Sequence, residues 1–371
     1  MMHNFGKWPF YSKECVDDAS YLLREGLPLT AYRANPQVGV EPVKDSWAWR
    51  LEREIEKKFR VKHAIACNSG TSALYMGLKA RGVDGWEIIT TPYTFSATVA
   101  AILHAGATPV FADVDPSTFC ISKETVKRAL TKKTKAILPV HLFGYFSDVD
   151  ALSSFGLPVF EDACQAVGAR RGERYAGTVG DFGAYSFNGS KNVPAGEGGA
   201  LVTNSDRIAE KARLLTNHSE NFGVKDVGWN FRMTEIHACI AWHGLKDLEE
   251  RNAYRVTLAN RLPEWASTAT AWARRQYRGS EDARYVLPFT VHGIDRSLFV
   301  KRMRRMGVNA GEGYIRPTLD KYPAFRRYAR GPLPIVHELS EKTLCLLDCV
   351  RLPATESDMV YIADCMRRAL R

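Results

Sequence analysis

Four short strings in this chain combine side chains able to do chemistry with positions at the ends of apolar runs. Asn68-Ser69-Gly70-Thr71-Ser72 stands between the apolar run Ala64–Cys67 and a helical pattern over 71–81. A helix starting there offers unpaired backbone N–H groups and a partial positive charge. Gly70 permits close approach and the hydroxyls add donors, so the string suits phosphate, with Ser69 at its head. Ser and Thr are also favoured N-caps, and a plain helix start would look the same. Glu161-Asp162-Ala163-Cys164-Gln165 follows the run Leu157–Phe160. A carboxylate at a strand end either faces a ligand or caps the next turn. Ser186-Phe187-Asn188-Gly189-Ser190-Lys191-Asn192, followed by Gly196-Glu197-Gly198-Gly199, sets a lysine in a Gly-rich turn between two apolar segments. A lysine desolvated there is a nucleophile for an aldehyde, whereas most loop lysines are simply solvated. Gly228-Trp229-Asn230-Phe231-Arg232-Met233-Thr234-Glu235 precedes a long helical period that Asn230 or Thr234 would cap.

The elements that must position these strings alternate. Apolar runs at 63–68, 87–91, 108–112, 135–140, 157–161, 183–187 and 199–203 read as seven strands. Helical patterns fall at 71–81, 96–104, 123–131 and 149–154. Strands separated by helices make crossover units, hence an α/β fold with a mostly parallel seven-stranded sheet flanked by helices. Near-continuous apolar runs such as Ala136-Ile137-Leu138-Pro139-Val140 fit strands covered on both faces. Ligands bind such a sheet at the carboxyl ends of its strands, where the strings lie. Upstream, Cys15–Glu25 and Trp47–Phe59 read as helices, with a Pro- and Gly-punctuated loop over Gly26–Val43. Met233–Arg251 reads as one long helix; then come a strand (Tyr285–Thr290) and helices at Ser297–Met306, Val336–Leu346 and Glu356–Leu370. The expected organisation is an N-terminal arm over 1–45, a large domain over 46–251 and a smaller α+β domain over 252–371.

The chain has 371 residues, 45% hydrophobic and 25% charged, which excludes collagen-like, mucin-like and wholly disordered classes. No apolar run reaches the ~18–20 residues that span a bilayer. Met1–Tyr11 lacks the pattern of a secretory signal, so a cytoplasmic location without a membrane partner is expected. The net charge of +10 attracts anions. Its densest run, Lys301-Arg302-Met303-Arg304-Arg305, reads as a solvated helix face and lacks interleaved aromatics, so nucleic acid is not expected. The eight cysteines form no Cys-x-x-Cys pair and suit a reducing compartment. Cys345 and Cys349 share a helical face in this reading, as core residues rather than ligands, and no metal is expected.

A phosphate cradle, a carboxylate and a lysine, in that order on one sheet, are what pyridoxal 5'-phosphate requires. Its phosphate needs a helix end, its ring nitrogen a carboxylate that keeps it protonated, and its aldehyde a lysine. The strings Lys62-His63-Ala64, Ser69-Gly70-Thr71-Ser72-Ala73-Leu74, Pro92-Tyr93-Thr94-Phe95, Gly106-Ala107-Thr108-Pro109-Val110-Phe111, Pro139-Val140-His141-Leu142-Phe143-Gly144, Glu161 to Ala166, Ser186 to Gly199 and Asn230 to Glu235 stand in order at family spacing. With them the chain resembles the DegT–StrS-type aminotransferases, the nucleotide-sugar branch of the aspartate-aminotransferase fold (fold type I).

The resemblance implies roles. Lys191 falls on the Schiff-base lysine and Asp162 on the partner of the pyridinium nitrogen. Gln165 falls beside the phenolic oxygen, and Gly70, Thr71 and Ser186 on phosphate contacts. Phe95 matches the aromatic that stacks on the ring, with Tyr93 as the other candidate. Asn230 matches an asparagine reaching the neighbouring subunit's phosphate, which implies a homodimer with shared sites. The implied reaction moves an amino group from glutamate or glutamine to a keto sugar. Lys191 disfavours a dehydratase branch that carries histidine there.

Gly196-Glu197-Gly198-Gly199 and Asn230-Phe231-Arg232-Met233-Thr234 resemble the members that aminate the fourth sugar carbon, and Phe231 would form a bulky wall near the cofactor. The expected acceptor is an NDP-4-keto-6-deoxyhexose, giving a 4-amino-4,6-dideoxy sugar nucleotide. The alternatives are a 3-keto sugar nucleotide, a keto-cyclitol, or a pyridoxal-phosphate-binding regulator with little turnover. Ala31–Asp45 and Gly313-Tyr314-Ile315-Arg316-Pro317 depart from the family's pattern.

Overall fold

The computed structural model describes residues 8–35, 39–219, 227–265, 270–272, 280–313, 315–348, 350 and 353–371. Helix α1 (Lys13–Arg24) leads to an antiparallel pair, β1 (Tyr32–Asn35) and β2 (Gly39–Pro42), and to α2 (Trp47–Phe59). An alternating stretch follows: β3 (His63–Cys67), α3 (Gly70–Arg81), β4 (Glu87–Thr90), α4 (Ser96–His104), β5 (Thr108–Phe111), α5 (Lys123–Ala129), β6 (Thr134–Ile137), α6 (Val149–Ser153) and β7 (Phe160–Asp162). Short strands β8 (Arg170–Arg171) and β9 (Arg174–Tyr175) precede β10 (Phe182–Ser186), β11 (Gly199–Thr203), α7 (Asp206–Thr216), α8 (Glu235–Lys246) and α9 (Leu248–Trp265). The chain continues through β12 (Thr270–Trp272), β13 (Ser280–Glu281), β14 (Leu287–Val291), α10 (Arg296–Arg305), β15 (Ala310–Gly311), α11 (Pro334–Glu338), β16 (Leu344–Leu347) and α12 (Glu356–Ala369).

The strands β3-β11-β10-β7 and β5-β4-β6 join through parallel bridges Ile137↔Val159 and Val140↔Asp162. Seven strands therefore lie in the order β3-β11-β10-β7-β6-β4-β5. Only β11 is antiparallel to its neighbours, so the sheet is mostly parallel, as expected. Alternate residues of β3 feed opposite cores. Ala64 and Ala66 pack with Leu51, Ile55 and Phe59 of α2, while Ile65 and Cys67 pack with Leu74, Leu78 and Ala212 of α3 and α7. Gly77 lets α3 press on β10, since a Cβ there would run into the Phe182 ring. That contact holds the start of α3 at the carboxyl edge of the sheet. A separate antiparallel sheet, β12-β14-β16-β15, carries a core with Leu258, Phe289, Phe299, Cys345 and Ile362.

Three expectations need correction. The loop expected over 26–43 contains the β1–β2 pair, in register Tyr32↔Pro42 to Asn35↔Gly39. Two four-residue strands flanked by prolines carry too little alternation to be read. The single helix expected over 233–251 is two, broken at Asp247 and continuing to Trp265. The apolar period runs through the break and hides it. Along α9, Leu248 joins one core and Leu258 and Leu262 another. The helix expected over 336–346 stops at Glu338; one wide turn (Leu339–Thr343) leads into strand β16. A continuous run such as Leu344-Cys345-Leu346-Leu347 fits a buried strand as well as a helix. Cys345 therefore sits on a strand, and Cys349 lies outside the described residues.

Candidate active site

Helix α3 starts where β3 ends, and Ser69 caps it. Its Oγ accepts from the Ser72 N–H at 3.1 Å, and Ser72 Oγ donates to Asn68 Oδ1 at 2.7 Å. Gly70 is the first helical residue. A Cβ there would lie 2.7 Å from Cys164 Sγ and 2.9 Å from Ser186 Cβ, so glycine is what lets the first turn meet the ends of β7 and β10. The N-terminus of α3 thus opens, with Ser186 beside it, on a cavity of about 430 Å³.

Asp162 ends β7 and is 5% exposed. Its Oδ2 accepts from Thr98 Oγ1 at 2.7 Å and its Oδ1 from the Cys164 N–H at 3.2 Å. Two donors satisfy and orient the buried carboxylate. Its neighbour Glu161 points to the opposite face, as strand alternation requires. There it accepts from the N–H groups of Gly177, Val179 and Gly180 and pairs with His141 Nε2 at 2.8 Å. His141 Nδ1 accepts from the Ser147 N–H, so Nε2 carries the hydrogen given to Glu161. Glu161 is a structural staple, and Asp162 lines the cavity. Burial raises the Cys164 thiol well above its ordinary value, Asp162 pushing the same way and the Lys191 ammonium opposing; both charges act on one atom.

Gln165 Oε1 accepts from the Phe143 N–H at 2.9 Å. Phe143 sits at φ 59°, which costs an L-residue about 1–2 kcal/mol. In that conformation its carbonyl accepts from the Tyr285 N–H at 3.0 Å. Gly144 follows at φ 93°, where a Cβ would lie 2.6 Å from Arg284 N. The string Pro139–Gly144 is therefore the dock for residues 283–285.

The lysine loop closes on itself. The Phe187 N–H donates to Gly198 O at 2.8 Å, Gly189 N–H to Gly196 O at 2.9 Å and Lys191 N–H to Asn188 O at 2.8 Å. Buried Asn192 anchors it: Nδ2 donates to Ala283 O at 2.6 Å and Asn252 Oδ1 at 2.7 Å, and Oδ1 accepts from Arg255 Nη1 at 3.1 Å. Lys191 Nζ lies 4.2 Å from the centre of the Tyr285 ring.

Ser69, Gly70, Thr71, Phe95, Asp162, Gln165, Ser186 and Lys191 all line the one cavity. Phe95 is 61% exposed, whereas Tyr93 is 2% exposed, packed edge-on against Phe143, and lines no part of it. Asn230 is not on this wall. It is exposed, and its carbonyl accepts from Asn68 Nδ2 at 3.3 Å. Phe231 does not line this cavity either; it packs against Tyr75 and Trp229. Tyr314 lies outside the described residues.

Sequence reasoning missed Thr98 and Tyr285. The Thr94/Thr98 hydroxyl pair, 2.8 Å apart and one helical turn apart in an apolar stretch, was a usable signal for the first. Nothing marked Tyr285, 95 residues from the Ser190 it touches. Away from the cavity, Asp18, Cys239 and His243 bring ligand-type atoms within 4.8 Å, two of them already joined by a 2.8 Å hydrogen bond.

Residues 47–367 match the DegT/DnrJ/EryC1/StrS aminotransferase family. The chain is 35% identical over 313 residues to a pleiotropic regulatory protein of Geobacillus stearothermophilus, covering 80% of this chain and 82% of that one. It is 39% identical over 336 residues to a UDP-N-acetyl-3-dehydro-alpha-D-glucosamine 3-aminotransferase of Acidithiobacillus ferrooxidans, covering 86% and 88%. A GDP-perosamine synthase of Caulobacter vibrioides is 40% identical over 215 residues, covering 54% and 58%. Among solved structures, DesI crystallised with its TDP-sugar product superposes with a TM-score of 0.84 at 26% identity, covering 98% of this chain and 91% of that one.

Proposed function

From the premise that the chain belongs to the DegT/DnrJ/EryC1/StrS aminotransferase family, we propose that it aminates the fourth carbon of an NDP-4-keto-6-deoxyhexose, with glutamate or glutamine as donor. It is a pyridoxal-phosphate-dependent sugar aminotransferase of fold type I. The carrying observation is that Lys191, Asp162 and the start of α3, brought from three parts of the sheet, line a single 430 Å³ cavity. Their donor chemistry fits the cofactor: N–H groups and hydroxyls for a phosphate, a buried carboxylate for a protonated ring nitrogen, and an amine for an aldehyde.

When bound, pyridoxal phosphate supplies an aldehyde that takes up an amine and a ring that accepts an electron pair. The chain's residues do the rest. Ser69, Gly70, Thr71 and Ser186 would hold the phosphate, with Asn230 of a second protomer completing it across a two-fold interface. Asp162, held by Thr98, would keep the ring nitrogen protonated and so deepen the electron sink. Gln165 would stand by the phenolic oxygen and Phe95 would cover the ring. Lys191, whose side chain lines the cavity, would hold the cofactor's aldehyde through its Nζ amine. The same amine would serve as the base that carries the proton taken from the donor's α-carbon. The keto acid leaves, the keto sugar enters and the steps reverse, so the kinetics should be ping-pong.

The fourth-carbon assignment rests on the strings Gly196–Gly199 and Asn230–Thr234 and on the likeness to the perosamine synthase. The second reading is a 3-keto sugar nucleotide, favoured by the 3-aminotransferase that aligns over 86% of this chain. NMR of the products formed from 4-keto and 3-keto sugar nucleotides with glutamate tests the choice; an amine on the third carbon overturns the first reading. The regulator reading predicts no 2-oxoglutarate on incubation with glutamate. No helix of the described residues is long and apolar enough to cross a membrane. The cytoplasmic location belongs to the same proposal, and cell fractionation tests it.

A further inference from the structure

We propose that Tyr285 is a positioning residue for Lys191, whose ring face seats the amine while it carries a proton. The inference rests on the reading of Lys191 as the group that moves that proton. Tyr285 comes from the segment before β14, far along the chain from the lysine loop, yet it lines the same cavity. The residue is held at three points, two on its backbone and one at the ring's hydroxyl. Its N–H donates to Phe143 O at 3.0 Å, its carbonyl accepts from Arg255 Nη1 at 3.4 Å, and its hydroxyl lies 3.0 Å from Ser190 Oγ. Ser190 is in turn fixed to Asn188 Oδ1 by its N–H and its hydroxyl, at 3.1 and 3.0 Å. Against this fixed face Lys191 Nζ sits 4.2 Å from the ring centre.

The geometry answers a specific difficulty. Lysine ends a flexible four-carbon stem, and a free amine at its tip has many places to be. When the proton leaves the donor's α-carbon its electron pair stays with the bound cofactor and Nζ becomes an ammonium. An aromatic face attracts an ammonium through the ring quadrupole. Tyr285 therefore favours the protonated lysine in one place, next to the carbon that must receive the proton.

The test compares Tyr285→Leu and Tyr285→Phe with the wild type in single-turnover reactions with glutamate and α-deuterated glutamate. Tyr285→Leu should slow the donor half-reaction about fivefold, as for a half-buried contact of this class. It should raise the deuterium isotope effect and leave the KM for glutamate within about threefold. Tyr285→Phe, which keeps the face and loses only the hydroxyl, should recover most of the rate. A readout free of turnover is the rate at which full-length protein stripped of cofactor is tagged at Lys191 by pyridoxal phosphate and borohydride; the Leu variant should tag more slowly. Should Tyr285→Leu not fold, Tyr285→Gln takes its place. Wild-type rates and isotope effect in the ring-less variant overturn the proposal, as does a Phe variant damaged as badly as Leu. If the wild type tags at Lys191 but aminates no keto sugar, the acceptor reading fails, and the tagging rates still decide the role of Tyr285.

Discussion

Thr98 Oγ1 lies 2.7 Å from Asp162 Oδ2 and donates its hydrogen to it. The hydroxyl comes from the first turn of α4, and the carboxylate from the last residue of β7. Thr98 is itself 2.8 Å from Thr94 Oγ1, so a short line of hydroxyls runs from the cavity wall to the carboxylate. A buried charge needs such partners, because an unpaired one is costly in a low-dielectric interior.

Removal of the carboxylate tests this arrangement first. Asp162→Ala should lower kcat by about two to three orders of magnitude, the usual loss when one preorganised electrostatic group is deleted. Thr98→Val should cost less, about tenfold, because one hydrogen bond to a charged group is worth about 1.5–3 kcal/mol and Cys164 N–H remains. Stopped-flow rates of the donor half-reaction check both. Near-normal turnover in Asp162→Ala would make the carboxylate structural.

Lys191→Ala should abolish transamination while leaving the circular dichroism and melting temperature near wild type, since the loop is anchored by Asn192 rather than by the lysine. Borohydride reduction of the wild type followed by peptide mapping should place the pyridoxyl group on Lys191. Its appearance on another lysine overturns the assignment.

Asn230 is exposed and absent from the wall of its own chain's cavity, with Trp229 and Val227 exposed beside it at 55% and 80%. If it serves a second protomer, mixing Lys191→Ala with Asn230→Ala chains should restore activity, because one site in each heterodimer is then intact. No recovery after verified subunit exchange counts against shared sites, as does a fully active monomer at assay dilution.

Glu235 binds the start of α2, accepting from the Trp47 N–H at 2.6 Å and the Ala48 N–H at 3.2 Å. Burial raises its carboxyl above the ordinary 4.5, against the two backbone hydrogen bonds. The folded state therefore holds this proton to higher pH than the unfolded state. Its contribution to stability is greatest below the unfolded pKa, falls as pH rises between the two values and stays lower above the folded one. Urea midpoints measured upward from pH 4.5 should show a decline that Glu235→Gln lacks. Identical slopes in the two proteins would falsify the assignment.

Much of the site was legible without coordinates. Backbone chemistry there depends on residue type at a local turn: a capped helix start at Ser69-Gly70, a carboxylate closing a strand at Asp162, and a lysine in a glycine-rich turn at Lys191. Each string carries its own hydrogen-bonding logic, and the alternation of apolar runs with helical periods was enough to place the strands on one mostly parallel sheet.

What only tertiary structure decided were the contacts between segments distant in the chain. Thr98 under Asp162, Tyr285 against Lys191, Asn192 clamped to Arg255, and Glu235 on the start of α2 each join elements that no local pattern links. The same holds for Phe231, packed against Tyr75 and Trp229, and for Leu344–Leu347, which became a strand because β14 and β15 were there to pair with it. Local chemistry is written residue by residue. Which face meets which is settled by burial of apolar area and by backbone partners across the fold, and these exist only once the chain has closed on itself.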